Sequence, residues 1–124
     1  MTTVRTEKEK MLAGELYLPA DAEIQADLAA TRQWLTRYNA SLSEPATTRY
    51  ALLMERLGAV GRGTVIRPPV FCDYGYNIRL GDEVFINYNC VFLDVVTISI
   101  GNRTQIGPPV QVYAADHPRD PGIR

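Results

Sequence analysis

The side chains of this sequence that could do chemistry are few, and they lie in its second half. His117 is the only histidine, and Asp73, Asn87 and Asp94 are polar residues set among apolar ones. An imidazole titrates near neutral pH and therefore suits a general base, although a lone histidine near a C-terminus is more often an exposed tail residue. Asn87 could equally form a corner, and Asp73 could cap the turn that follows it.

The composition excludes several other classes of protein. The 124 residues carry a formal net charge of −1, so no basic surplus is available to bind nucleic acid. No apolar run approaches the ~20 residues of a membrane span, and the polar N-terminus is no secretory signal. Cys72 and Cys90 lack metal or redox spacing, which favours two free thiols in a cytoplasmic protein over a disulfide. One histidine cannot supply a three-histidine metal site, so no metal is predicted.

Residues 1–58 are predicted to form a helical domain. A polar segment at residues 6–13 ends at Gly14, which suits a helix C-cap. Asp21 can cap a second helix, and a third is expected to begin near Ser43 with Pro45 in its first turn. Together these signals place three helices ahead of the residues with chemical potential.

The second and third helices have apolar faces with the 3.6-residue period of packed helices. The face of the second is Ile24, Leu28, Thr31, Leu35 and Tyr38, and that of the third is Tyr50, Leu53, Met54 and Leu57. Gly58 is expected to end the third helix. Trp34 is interpreted as a packing residue and not as a platform for a ligand.

Residues 60–119 contain an internal repeat of 20 residues. Each repeat has an aliphatic residue followed by glycine, an isoleucine six residues later and an apolar residue after six more. The matching positions are Val60-Gly61, Leu80-Gly81 and Ile100-Gly101, then Ile66, Ile86 and Ile106, then Cys72, Phe92 and Val112. Small or β-branched residues recur between them, and Pro68-Pro69 matches Pro108-Pro109.

This spacing predicts a parallel β-helix over residues 59–124. A six-residue unit is one short strand plus a corner, and three units close a triangular coil. Successive coils stack about 4.8 Å apart and bury matching aliphatic residues in columns. Prolines cannot donate to a strand ladder, so the proline pairs belong at corners. The alternative is a small antiparallel β domain with coincidental spacing. The spacing does not determine the handedness of the coils.

Several segments resemble the maltose/galactoside O-acetyltransferase family in order and spacing. They are EKEKMLAGELY at 7–17, RYN at 37–39, CDYGYNI at 72–78, FINYNCVFLD at 85–94 and IGPPVQVYAADHP at 106–118. The resemblance implies an α+β protein in which N-terminal helices precede a left-handed β-helix. It also implies acetyl transfer from acetyl-CoA to a sugar hydroxyl, by a homotrimer with active sites at the subunit boundaries.

The resemblance assigns roles to individual residues. His117 matches the general base, and Asn87 matches a polar residue at the reacting centre that also contacts the acetyl donor. Asp73 falls where a residue lining the acceptor-sugar pocket lies. Phe85 stands where the galactoside enzyme has tyrosine, and Asp94 lies next to the position of an acidic residue. These two are expected to contact substrate, and the differences favour the maltose-type branch over galactosides.

The repeat itself adds a geometric hypothesis. Asn77, Thr97 and His117 occupy the same place in successive coils and should stack along one edge. Asn87 lies on another side of the prism, so we expect it to meet His117 across a subunit interface. Asp116 could orient the histidine, although neighbouring residues of an extended chain often point apart.

The periodic pattern stops at residue 119. In the family, further coils follow and carry most of the acetyl-CoA contacts, so the 124-residue chain alone is expected to be weakly active or inactive. A non-catalytic, trimerising β-helix fragment is the alternative function.

Overall fold

The computed structural model describes residues 4–114, which form three helices followed by nine short strands. The helices are α1 (Glu7–Leu12), α2 (Ala22–Asn39) and α3 (Ala46–Arg56). The strands are β1 (Ala59–Val60), β2 (Val65–Ile66), β3 (Val70–Cys72), β4 (Ile78–Leu80), β5 (Phe85–Ile86), β6 (Cys90–Leu93), β7 (Ile98–Ile100), β8 (Gln105–Ile106) and β9 (Gln111–Tyr113). The helices therefore give way to strands between residues 56 and 59. None of the helices in this part of the chain is long and apolar enough to cross a membrane.

The strands form three parallel sheets, which are the three sides of a stacked coil. The strand orders are β1-β4-β7, β2-β5-β8 and β3-β6-β9. Partners are always twenty positions apart, as in the pairs Val60↔Leu80, Ile66↔Ile86 and Phe92↔Val112. The predicted parallel coils are confirmed, and the antiparallel alternative is wrong.

The aliphatic positions of the repeat form the inward columns. In the middle coil Leu80, Ile86 and Phe92 are 4%, 0% and 1% exposed. The equivalent residues of the third coil, such as Ile106, are only half-buried. Strands β7, β8 and β9 have a paired neighbour on one side only among the described residues, so the third coil covers the second while its own lower side is less covered.

The corners are also where the sequence placed them. Pro68-Pro69 separates β2 from β3 and Pro108-Pro109 separates β8 from β9; both pairs are joined by cis peptide bonds. Gly61 is required by the close approach of the coils, because a Cβ there would overlap the backbone of Gly81.

Helices α2 and α3 cover the free edge of the first coil. The Tyr38 hydroxyl donates to the carbonyl of Ile66 at 2.6 Å. The Asn39 side chain accepts from the N–H of Val70 and donates to its carbonyl, both at 2.9 Å. The Tyr50 hydroxyl donates to the Val60 carbonyl at 3.2 Å. Backbone groups that would otherwise lack strand partners are therefore satisfied by side chains of the cap.

The helix signals were largely correct. Thr6 and Glu9 form a capping box on α1, and the Asp21 carboxylate accepts from the second and third N–H groups of α2. The third helix begins later than expected, at Ala46, and Pro45 is its N-cap residue instead of lying within its first turn.

One residue of the predicted apolar face of α3 is misplaced. Met54 is 55% exposed, whereas Leu52 packs against the core. Trp34 is 5% exposed, stacks on Tyr38 with ring centroids 5.2 Å apart and donates its Nε1–H to the Leu52 carbonyl at 2.7 Å. Its predicted packing role is confirmed, and this contact holds the Leu52 side of α3 against α2.

Candidate functional site

The predicted site residues fall into two groups on different sides of the prism. Asp73 and Asp94 follow β3 and β6 in the third sheet, whereas Phe85 lies in β5 and Asn87 follows it, in the second sheet. His117, like Asp116, lies outside the described residues. The predicted separation of Asn87 from the aspartates is thus confirmed.

Asp94 has a structural role that the sequence did not predict. The residue is 0% exposed. Its carboxylate accepts hydrogen bonds from the N–H groups of Asp73 at 3.1 Å, Tyr74 at 2.9 Å and Asn77 at 3.2 Å. Burial raises the pKa of Asp94, although the backbone hydrogen bonds act in the opposite direction. The carboxylate holds the turn at residues 73–77, and its expected contact with substrate stays a prediction.

Asn77 completes this turn. It is buried, and its side-chain amide donates to the carbonyl of Asp94 at 2.8 Å and to that of Val95 at 3.2 Å. The Ile98 N–H donates to the Asn77 carbonyl at 2.8 Å, which aligns Asn77 with Thr97 as the repeat predicts. The side chain of Asn77 is therefore occupied by hydrogen bonds within the turn. Thr97, at the equivalent position of the next coil, is exposed.

Asp73 is the carboxylate of this side that remains available. It is half-buried, and burial raises its pKa. Within residues 4–114 its carboxylate makes no hydrogen bond or ion pair, since the turn at Tyr74-Gly75 is held by Asp94 instead. A half-buried carboxylate with a raised pKa and no structural partner is typical of a functional site, because burial without compensation costs stability.

Tyr17 lies close enough to Asp73 to feel its charge, and sequence reasoning did not identify it. The pKa of Tyr17 is raised by burial and, second, by the negative charge of Asp73. Its ring packs against the cluster of Met11, Ile24 and Tyr74. The segment that carries it is tied to α1 by the Leu18 N–H, which donates to Glu7 at 2.6 Å.

A polar network clamps the turn at 73–77 onto the cap. Asp27 accepts from the Tyr76 hydroxyl at 2.7 Å and pairs with Lys8 at 2.9 Å. Burial would raise the pKa of Asp27, but these two contacts and the charge of Arg56 outweigh it and lower the pKa. Arg56 also donates to the Tyr74 carbonyl at 2.7 Å. The backbone around Asp73 is thereby held between the cap and the second coil.

Asn87 is half-buried at the corner after β5. Its N–H donates to the Ile106 carbonyl at 2.9 Å, and its side-chain oxygen accepts from the Tyr88 N–H at 2.8 Å. These bonds support the turn interpretation. They leave the amide NH₂, a two-hydrogen donor, without a partner among the described residues. Asn87 is therefore fixed at the main chain and can still donate to a ligand.

Next to Asn87 lies an aromatic pair that holds an arginine. The guanidinium carbon of Arg67 is 4.9 Å from the centroid of the Phe85 ring and 5.2 Å from that of Tyr88. Phe85 is half-buried and is flanked in its sheet by Val65 and Gln105. The sequence contained one signal for Arg67, since it precedes Asn87 by one full repeat. The described residues contain no cluster of three or more histidine, cysteine or acidic side chains that could hold a metal.

The sequence and the fold are similar to those of known acetyltransferases. Residues 10–61 match the family model of the maltose acetyltransferase hexapeptide capping motif. Nodulation protein L of Rhizobium leguminosarum bv. viciae is 62% identical over 120 residues, which cover 97% of this chain and 63% of the relative.

Two solved structures superpose closely on this chain. A maltose O-acetyltransferase from Clostridium difficile 630 has a TM-score of 0.93 at 37% identity, covering 98% of this chain and 65% of its own. A hexapeptide-repeat-containing acetyltransferase of Vibrio cholerae, complexed with acetyl coenzyme A, has a TM-score of 0.83 at 40% identity, with coverages of 97% and 64%.

Parallel coils of six-residue units beneath a helical capping motif define the hexapeptide-repeat acyltransferases. Within that class, the chain belongs to the maltose/galactoside O-acetyltransferase family. The chain spans slightly less than two thirds of the length of the relatives described above.

Proposed function

We propose that this protein is a sugar O-acetyltransferase that moves the acetyl group of acetyl-CoA to a sugar hydroxyl. The observation that carries the proposal is the match, over nearly all of this chain, to an acetyltransferase complexed with acetyl coenzyme A. We further propose a left-handed β-helix, a cytoplasmic location and a maltose-type acceptor, as the resemblance implies. The known fold supports the class of reaction, and the site residues support its details.

In the proposed reaction the sugar hydroxyl attacks the thioester carbonyl. A C–O bond forms, the C–S bond breaks, and the products are an acetyl ester and coenzyme A. His117 takes the hydroxyl proton and returns it to the departing sulfur. General-base catalysis of this kind is worth about 10²–10⁴-fold in rate, so the base is the residue on which turnover depends most.

Asn87 is proposed to act on the acetyl donor. Its backbone is fixed to the third coil through the Ile106 carbonyl, and its side-chain oxygen is held by the Tyr88 N–H. The orientation of the amide is therefore set before a ligand arrives. A donor fixed in this way can hydrogen-bond the carbonyl oxygen of the acetyl group, where negative charge develops during attack.

Asp73 is proposed to bind the acceptor sugar, with Tyr17 beside it. Sugar hydroxyls donate well to a carboxylate, and aromatic rings pack on the apolar faces of sugars. The Asp73 carboxylate pays a burial penalty that nothing among the described residues offsets. Hydrogen bonds from a bound sugar would compensate for that penalty, which favours an acceptor site here.

We propose that the protein assembles as a homotrimer through the outward face of the third sheet. Phe71 and Tyr113 on this face are 48% and 57% exposed, and Val91 and Leu93 lie between them in the ladder. An apolar sheet face of this kind is typical of an interaction surface. A trimer built in this way would allow Asn87 of one subunit to approach His117 of the next.

Acetyl transfer from acetyl-CoA to maltose and glucose, measured on the protein at the full length of its relatives, tests the proposal directly. We expect His117→Ala to lower kcat by about 10²–10⁴-fold and Asn87→Ala to lower it less. Gln33→Ala, an exposed amide on α2, is the matched control and should leave the rate unchanged. A His117→Ala variant with a kcat close to that of the parent would refute the assignment of the base.

Mixed trimers test the shared site. Subunits carrying Asn87→Ala are combined with subunits carrying His117→Ala, each expected to be less active alone than the parent. Recovery of part of the activity is expected if one site takes a residue from each subunit. No recovery in trimers shown to be mixed by mass would place both residues in a single subunit.

The alternative function is a non-catalytic trimerising β-helix. Titration calorimetry with acetyl-CoA separates the two functions, because this alternative predicts no heat of binding.

A further inference from the structure

We propose that Arg67 is an anion-binding residue of the same site, which recognises a phosphate or carboxylate carried by one of the two substrates. This inference rests on the proposed function for the identity of those substrates. The supporting feature is the stack formed by the Arg67 guanidinium with the rings of Phe85 and Tyr88.

The fold places Arg67 directly above Asn87. The Arg67 N–H donates to the Ile86 carbonyl at 2.8 Å, and the Asn87 N–H donates to Ile106 one coil further on at 2.9 Å. The two residues therefore occupy the same corner of consecutive coils, about 4.8 Å apart along the stack. A ligand that reaches the Asn87 amide passes within reach of the guanidinium.

Among the described residues, no ion pair uses the guanidinium of Arg67. A guanidinium contacts aromatic rings through its flat face, whereas its five N–H groups lie in the plane at its edge. Ion pairs within residues 4–114 involve Arg5, Lys8, Lys10 and Arg37, and none involves Arg67. The charge is thus held in place and remains available for a bidentate anion.

The surroundings restrict the motion of this side chain, although it is exposed. Pro68 follows Arg67 and is buried, so the backbone after the arginine is fixed. The two rings belong to β5 and its corner, which are paired with the strands on either side. An arginine ordered before binding loses less conformational entropy when it meets an anion.

Binding of pyrophosphate tests the site independently of catalysis. We expect Arg67→Gln to weaken pyrophosphate binding by about 10-fold to 100-fold, and Arg67→Lys to weaken it less because the charge remains without the fork. Tyr88→Leu, which removes one face of the stack, should also weaken it. Arg79→Gln removes the same charge from the exposed face of β4 and is the control that should bind as the parent does.

Transfer kinetics then identify the substrate that carries the anion. If the anion belongs to the donor, Arg67→Gln raises KM for acetyl-CoA and leaves KM for acetyl-pantetheine, which has no phosphate, unchanged. If it belongs to the acceptor, the variant loses a preference for a sugar phosphate over the neutral sugar. Either result supports the site. Equal pyrophosphate affinities for Arg67→Gln and Arg79→Gln, measured on folded proteins, would overturn it. If Arg67→Gln loses pyrophosphate binding and the protein, tested at the full length of its relatives, transfers no acetyl group, the proposed function is refuted and the anion site is retained.

Discussion

Replacement of Asp94 by asparagine isolates the hydrogen bonds that hold the turn at residues 73–77. The substitution keeps the size of the side chain. The amide oxygen of asparagine can still accept from Asp73 and Tyr74, which both donate to the same carboxylate oxygen. The other carboxylate oxygen becomes an NH₂ group that faces the Asn77 N–H, so one buried donor loses its acceptor and meets a second donor.

The structure sets the size of the effect and supplies its control. One unpaired buried donor costs about 1–3 kcal/mol, and we expect Asp94→Asn to lower the free energy of unfolding by this amount. Asp82 accepts a single bond, from the exposed N–H of Arg62 at 2.8 Å. Asn102 makes the equivalent bond to Asp82 one coil later, also at 2.8 Å. Asparagine therefore suits this corner, and Asp82→Asn should change stability by less than about 0.5 kcal/mol.

Urea denaturation at pH 7, followed by circular dichroism, measures both variants. The slope of the unfolding free energy against urea should stay the same, so a lower midpoint reports stability alone. Equal midpoints for Asp94→Asn and Asp82→Asn would refute the reasoning, because the three-bond carboxylate would then be no more important than an exposed one-bond corner.

Three further predictions concern the cap, the site and the coils. Asn39→Ala removes both hydrogen bonds to β3 and should cost about 1–3 kcal/mol, which would appear as a lower Tm; an unchanged Tm would contradict the capping role. Asp73 has a pKa raised in the folded state, so its contribution to stability is lost as pH rises through that pKa. Asp73→Asn should therefore flatten the fall in stability above about pH 4 while weakening acceptor binding, and parallel stability profiles would contradict this. Gly61→Ala places a Cβ against the backbone of Gly81 and should prevent stacking, whereas Gly101→Ala enters open space among the described residues and should be tolerated in the 124-residue chain; equal melting curves would show that the coils can separate.

Much of the fold could be predicted because the inward positions of the β-helix recur in the sequence at a fixed period. A residue such as Ile86 is buried by Ile66 above and Ile106 below. This inward column can therefore be recognised from the repeat alone, without knowledge of any other part of the chain. The helix caps are equally local, since the Asp21 carboxylate accepts from N–H groups that lie within three residues of it. Met54 was misplaced because the face of α3 is chosen by its contact with α2, which no local pattern encodes.

The site was predicted less completely because its residues act across the fold. Asp94 is of a residue type that often binds ligands. Only the coil above reveals that its carboxylate accepts hydrogen bonds from backbone N–H groups. Tyr17 lies in an irregular segment whose path depends on α1 and on Glu7. Arg67 had a signal in the repeat, but the rings that hold it come from the next coil.

The Asn39 side chain caps one end of the stack of coils. A carboxamide has the same donor and acceptor as a peptide group, and here it pairs with Val70 as a neighbouring strand would. The upper edge of β3 is thereby closed to strands from other molecules. The cap also precedes the coils in the chain. During synthesis the helical cap can therefore fold first, and the coils can then form on it one after another.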